Sequence, residues 1–181
     1  IVNFRSTVVT QPGAENYVFH DKMSAGLTLN YSSAADISVT LNGNAVADGA
    51  YTVRTGREIT DGCTFEIVFS QAFCNTLGEN GELVIGYSAT VNENAVIAGA
   101  GNPNESRLTY GENGQFGTTP SITKTYTWGM DVLKYANGNR EKPLEGVKFV
   151  LLNSGKSKAA QVVNGKLTGW VDVPAQGTPW P

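Results

Sequence analysis

At 181 residues, with 16% charged side chains and a net charge of −3, the chain has room for one large or two small domains. That balance gives no electrostatic reason to expect nucleic acid or an anionic membrane as partner, and no apolar run approaches the ~20 residues of a membrane helix. Twenty-one glycines, among many Thr, Asn and Val, favour strands and turns over helices.

Short alternating runs follow one another from the start of the chain. "VNFRSTVVT" (residues 2–10) leads through the turn "QPGAEN" to "YVFHD" at 17–21. "DISVTL" and "AYTVR" enclose a turn-rich stretch with Asn42-Gly43, a hairpin signal. "CTFEIVFS" puts Cys63, Phe65, Ile67 and Phe69 on one face; "ELVIGYSATV" does the same for Leu83, Ile85, Tyr87, Ala89 and Val91. "SRLTYG" closes the series, and only "QAFCNTL" and "NENAVIAG" suit short helical turns. Short strands with turns at this spacing predict an all-β sandwich.

The polar, glycine-rich "GENGQFGTTPS" then marks a boundary. We expect a first sandwich over residues 1–120 and a second over 121–181, the latter with strands at "YTWGMDVLKY", "EGVKFVLLN", "AAQVV" and "LTGWVDV". The second region stops at "AQGTPWP" without a closing strand, so it reads as an incomplete sandwich, and a start at Ile1 reads as a processed piece.

Cys63 and Cys74 flank a strand at a spacing that fits neither a zinc knuckle nor a CxxC pair. A disulfide between them and two buried free thiols remain equal alternatives. The single His20 lacks a nucleophile partner and reads as structural. Glycine patterns for phosphate and Asp-x-Asp spacing for calcium are absent, so neither cofactor nor metal is expected. Trp128, Trp170 and Trp180 read as core residues rather than a sugar platform. Lys134 continues a strand face with Trp128, Met130 and Val132; an ammonium buried there must snorkel, pair or react.

"DVLKYANGNREKPLEGVKFVLLN" resembles the opening of a Cna protein B-type domain, through Pro143, Leu144, Gly146, Val147, Phe149 and Leu151. "NYVFHDKMSAGLTL" and "YSATVNENAVIAGAGNPNESRLTYG" resemble the fimbrial isopeptide-forming second domain of sortase-assembled Gram-positive pilin backbones. The resemblance implies two tandem immunoglobulin-like, Cna-type sandwiches, the second truncated. It also implies a structural segment of a pilus shaft or wall-anchored surface protein, outside the cell. Its partners would be neighbouring pilin subunits joined by sortase, with any host ligand bound through other domains. An adhesin module that binds host matrix protein or glycan is the alternative.

Such domains are not enzymes beyond one autocatalytic step, condensation of a strand lysine with an asparagine. Burial keeps the amine neutral and nucleophilic, a nearby carboxyl shuttles protons, and folding supplies the effective molarity. By resemblance Lys134 is the second domain's nucleophile. Its partners would lie on later strands, since Glu145, Asn153 and Asp172 are poorly placed. In the first domain, counting back by two from Tyr110 through Leu108 and Ser106 puts Asn104 on the core face, whereas Asn102, before a proline, reads as a turn residue. Asp21, on the face of Tyr17 and Phe19, is the preferred acid, with a turn or cap aspartate as its bland reading. Glu66 is the alternative acid, although its parity opposes that of Phe65 and Ile67. Lys22 has the wrong parity, and the resemblance puts the reactive lysine on a strand before residue 1.

Overall fold

The computed structural model describes residues 1–175, in two compact units, Ile1–Gly129 and Met130 onward. Trp180 lies outside the described residues.

The first unit opens with β1 (Val2–Val9), β2 (Val18–Met23), β3 (Leu27–Leu29), β4 (Ser38–Leu41), β5 (Asn44–Ala45) and β6 (Tyr51–Thr55). After β7 (Phe65–Phe69) comes one helical turn, α1 (Gln71–Cys74), then β8 (Glu82–Val91), β9 (Asn102–Tyr110), β10 (Phe116–Gly117) and β11 (Ser121–Thr125). One sheet runs β1-β8-β4-β5, with β3 also on β8. The other runs β10-β9-β2-β7-β6, with β11 also on β9. The ladders are antiparallel.

The strands form where apolar residues alternate. Phe65, Ile67, Leu83 and Ile85 are fully buried and meet Phe19, Val39, Leu108 and Tyr87 in one core. The Asn42-Gly43 turn joins β4 to β5 with both residues at positive φ, 51° and 80°, the requirement of a type I′ hairpin. Ser70 caps α1, its hydroxyl accepting from the Phe73 amide at 3.2 Å. Residues 92–99, expected to suit a helical turn, form an ordinary turn instead.

Ser121–Thr125 was expected to open the second domain. It pairs with β9 from Ser121↔Ser106 to Thr125↔Asn102, and so belongs to the first unit. The glycine-rich stretch before it reverses the chain within one sheet rather than ending a domain.

In the second unit, β12 (Lys158–Val163) and β13 (Lys166–Asp172) form a hairpin around Asn164-Gly165, both at positive φ. The strands expected at "YTWGMDVLKY" and "EGVKFVLLN" do not form ladders there; isolated bridges join Tyr135 to Pro143 and Leu152 to Ala159.

Candidate functional site

Strand parity turns Asp21 of β2 and Asn104 of β9 into the core, 0% and 3% exposed. Tyr87, from β8 of the opposite sheet, meets them across the sandwich. Its phenol donates a hydrogen bond to Asp21 Oδ2. Asn104 Nδ2 donates to the same oxygen at 2.8 Å and to the Tyr87 hydroxyl at 3.0 Å. Aromatic rings wall the triad: Phe65 stands edge-on to Tyr87 at 5.0 Å, Phe4 stacks on it at 5.3 Å and Phe19 lies 6.4 Å away.

Burial pushes the Asp21 carboxyl up to about 6, against the opposing pull of the Tyr87 and Asn104 hydrogen bonds. Burial, then the charge and hydrogen bond of Asp21, push the Tyr87 phenol up as well. Asp21 Oδ1 and Asn104 Oδ1 find no hydrogen-bond partner among the described residues. Two such orphans in a core are costly.

The site opens on a cleft of about 1030 Å³ between β1 and the β9–β11 side of the other sheet, lined by Phe4, Ser6, Tyr87, Asn104, Ser106 and Thr123. Here the inward residues of β1 are only half-buried. A Ser6–Ser106 hydroxyl contact of 3.3 Å joins the two sheets across it. The arrangement holds a carboxyl that can exchange protons within hydrogen-bond reach of a carboxamide, in a cleft wide enough to admit a further side chain.

Asp21 and Asn104 are therefore brought together. Tyr87 was visible in the sequence only as one member of a core face; a phenol among aliphatic neighbours was the signal that it needs a buried polar partner. The alternative acid, Glu66, points away from the triad to the outer face, beside His20 and Arg54.

Asn102 is not a turn residue. It lies in β9, 1% exposed, accepting from the Val96 amide at 2.8 Å and donating to the Val96 and Thr125 carbonyls at 3.1 Å each. Gly26 permits this clip, since a Cβ there would collide with Asn102 Oδ1 and Ala95 Cα.

Lys134, expected on a buried strand face, is exposed and outside any strand. Among the described residues no sheet covers that face, and Trp128, Met130 and Val132 are 81%, 67% and 53% exposed. Lys22 and Lys124, the lysines of the first unit, are also exposed; Lys124 pairs with Pro103, so it faces away from Asn104.

Cys63 and Cys74 are both free. The Cys63 thiol donates to Asp61 in the loop before β7, whereas Cys74 is buried in the core beyond that strand. The chain as it stands should thus show its full sequence mass and two titratable thiols after unfolding. A deficit of about 17 Da mapped to Lys22, Lys124 or Lys134, or of about 2 Da from a disulfide, would contradict these placements.

Residues 5–114 match a family model described as Gram-positive pilin backbone subunit 2, Cna-B-like domain. Among solved structures, the C-terminal fragment of the Streptococcus agalactiae major pilin is 17% identical at a TM-score of 0.56, over 90% of this chain and 61% of that one. The backbone pilin of serotype M6 Streptococcus pyogenes is 16% identical at 0.52, over 90% and 44%. The pilus backbone of Streptococcus pneumoniae is 20% identical at 0.49, over 60% and 24%. The first two likenesses are to the fold alone, and the chain spans 61%, 44% and 24% of those three chains. No curated protein matches the sequence.

Proposed function

Since the chain belongs to the Gram-positive pilin backbone family, by a family match over residues 5–114, we propose that it is a shaft segment of a surface pilus whose first unit is built for covalent self-stiffening. The observation that carries this reading is the buried contact of Asn104 Nδ2 with Asp21 Oδ2 at 2.8 Å, at the edge of an open cleft. Neighbouring pilin subunits, linked outside the cell by sortase, are its partners. The domains are a fimbrial isopeptide-forming sandwich followed by the opening of a Cna B-type sandwich.

In this reading a lysine on a strand that packs along β1 enters the cleft. Its neutral Nζ attacks Asn104 Cγ, a C–N bond forms, and the Cγ–Nδ2 bond breaks. Nδ2 leaves as ammonia, taking the proton that the amine gives up through Asp21. Tyr87 holds the carboxyl in place and completes a water-poor wall. Because amine and amide are fixed by folding, no enzyme is needed.

The test is intact mass and peptide mapping of the full-length pilin. It should lack about 17 Da for a bond at Asn104, and Asn104→Ala should restore that mass. Asn102→Ala should leave the bond formed while lowering stability by about 1–3 kcal/mol through the unpaired Val96 and Thr125 groups. A bond that persists in Asn104→Ala would overturn the assignment.

A further inference from the structure

The outer face of the second sheet carries a separate polar cluster that the crosslinking chemistry does not use. Strand register aligns Arg54, Glu66, His20 and Arg107 in one row across β6, β7, β2 and β9. The β6–β7 loop lays Asp61 and Cys63 over that row. His20 Nδ1 lies 2.9 Å from Asp61 Oδ2 and 3.2 Å from Glu66 Oε1. Its Nε2 meets the Thr109 hydroxyl at 2.9 Å, and the Cys63 thiol donates to Asp61 Oδ2 at 3.1 Å.

The His20 side chain is 10% exposed, and Nδ1 has no hydrogen-bond partner among the described residues. Both carboxylate contacts are close, but neither has the direction of an N–H bond. Burial and the Arg107 guanidinium favour the neutral ring, whereas Asp61 and Glu66 favour the charged one. In the tautomer that gives Nε2–H to the Thr109 hydroxyl, the Nδ1 lone pair faces carboxylate oxygens. Acceptor facing acceptor is stable only with a cation between them, either a proton or a metal ion.

We propose that His20 Nδ1, Asp61 Oδ2 and Cys63 Sγ bind one divalent transition-metal ion of zinc's type. The three atoms lie within 4.8 Å of one another. Tetrahedral zinc, with bonds of about 2.0–2.3 Å, needs ligand separations of roughly 3.3–3.8 Å, so the contacts of Asp61 Oδ2 with His20 Nδ1 and Cys63 Sγ, 2.9 and 3.1 Å, must open slightly as the ion enters, a small movement of the loop. A nitrogen, oxygen and sulfur donor set suits zinc and its neighbours rather than calcium or magnesium, which take oxygen. Thr109 fixes the ring from behind, as outer partners of ligating histidines do.

Charge balances closely. The thiol loses its proton on binding, releasing one H⁺ per ion, and the thiolate, Asp61 and Glu66 then face the dication and the guanidinium groups of Arg107, 2.6 Å from Asp61, and Arg54, 3.9 Å from Glu66. Solvent takes the fourth position, since the Asp61 side chain is 27% exposed and leaves an entry path. A bound ion would pin the β6–β7 loop to the middle of the sheet.

The experiment is a titration of the whole 181-residue chain with Co²⁺, then Zn²⁺, at neutral pH with the thiols kept reduced. We expect one saturable site per chain, a sulfur-to-cobalt charge-transfer band, and displacement of Co²⁺ by Zn²⁺. Cys63→Ser, in a partly exposed loop, should abolish the band and weaken Zn²⁺ binding at least tenfold. Cys74→Ala should change neither, because Cys74 is buried in the core beyond β7. Absence of saturation up to millimolar Co²⁺ would reduce the cluster to an ion pair, and a band that survives Cys63→Ser would place the metal elsewhere. Either result overturns the proposal.

Discussion

Phe65→Ala should cost the first unit about 3–5 kcal/mol of unfolding free energy, the range for deleting a fully buried phenylalanine. The ring is 0% exposed and touches both walls of the core, edge-on to Tyr87 at 5.0 Å and 6.0 Å from Phe19. β7 is locked by ladders to β2 on one side and β6 on the other, so the backbone cannot collapse into the space left behind. A domain with only ~5–15 kcal/mol in hand would lose much of its margin. The matched control is Phe116→Ala, because Phe116 is 54% exposed and lies against Tyr110 and Gly111 at the sheet edge; it should stay within about 0.5 kcal/mol. Denaturant midpoints of the two variants separate the outcomes. Equal losses would mean that the first unit is not held together by the core described. The same cavity lies under Tyr87, so Phe65→Ala should also lower the yield of crosslinked full-length pilin.

What the sequence revealed was governed by periodicity. Alternation fixes the face of a strand residue whatever its partners, and so Asp21 with Phe19, Asn104 with Leu108, and Glu66 on the outer side were all legible. The meeting of Tyr87 with Asp21 was not, since it depends on which strand of the opposite sheet lies over β2, a contact between residues far apart in sequence. Lys134 shows the converse. Its alternation with Trp128, Met130 and Val132 signals burial only if a second layer covers that face, and among the described residues those side chains are exposed. Asn102 was misread because Asn-Pro is a turn signal, whereas Pro103 here sits within β9, its carbonyl accepting from Ser24 at 2.9 Å. The outer cluster escaped because Asp61 and Cys63 are loop residues, and no periodicity says which strand a loop will cover.

Asp21→Asn should act with opposite signs in two forms of the protein. In the 181-residue chain Asp21 is wholly buried, held by a phenol and an amide, with no cation among its hydrogen-bond partners and with Oδ1 unpaired. An unpaired buried carboxylate is a liability. Asparagine keeps the shape, can accept from Tyr87, and can donate its amide to Asn104 Oδ1, the other orphan of the site. The chain's unfolding free energy should therefore hold or rise, by up to about 1–3 kcal/mol if both orphans are relieved, and its melting temperature with it. In a longer pilin that supplies the lysine, the proposed chemistry would lose with this change the group that moves the proton between amine and leaving ammonia. The mass deficit of about 17 Da should vanish, and with it a crosslink whose chain-entropy contribution is about 4–5 kcal/mol for a loop near a hundred residues. Intact mass and thermal unfolding on both forms decide the matter. Ammonia loss that continues in Asp21→Asn would remove Asp21 from the chemistry, and a lower melting temperature in the 181-residue chain would show the carboxylate to be a structural asset rather than one kept for reaction. On the proposed chemistry, both results together would mark Asp21 as a carboxylate that costs the fold stability until the crosslink is made.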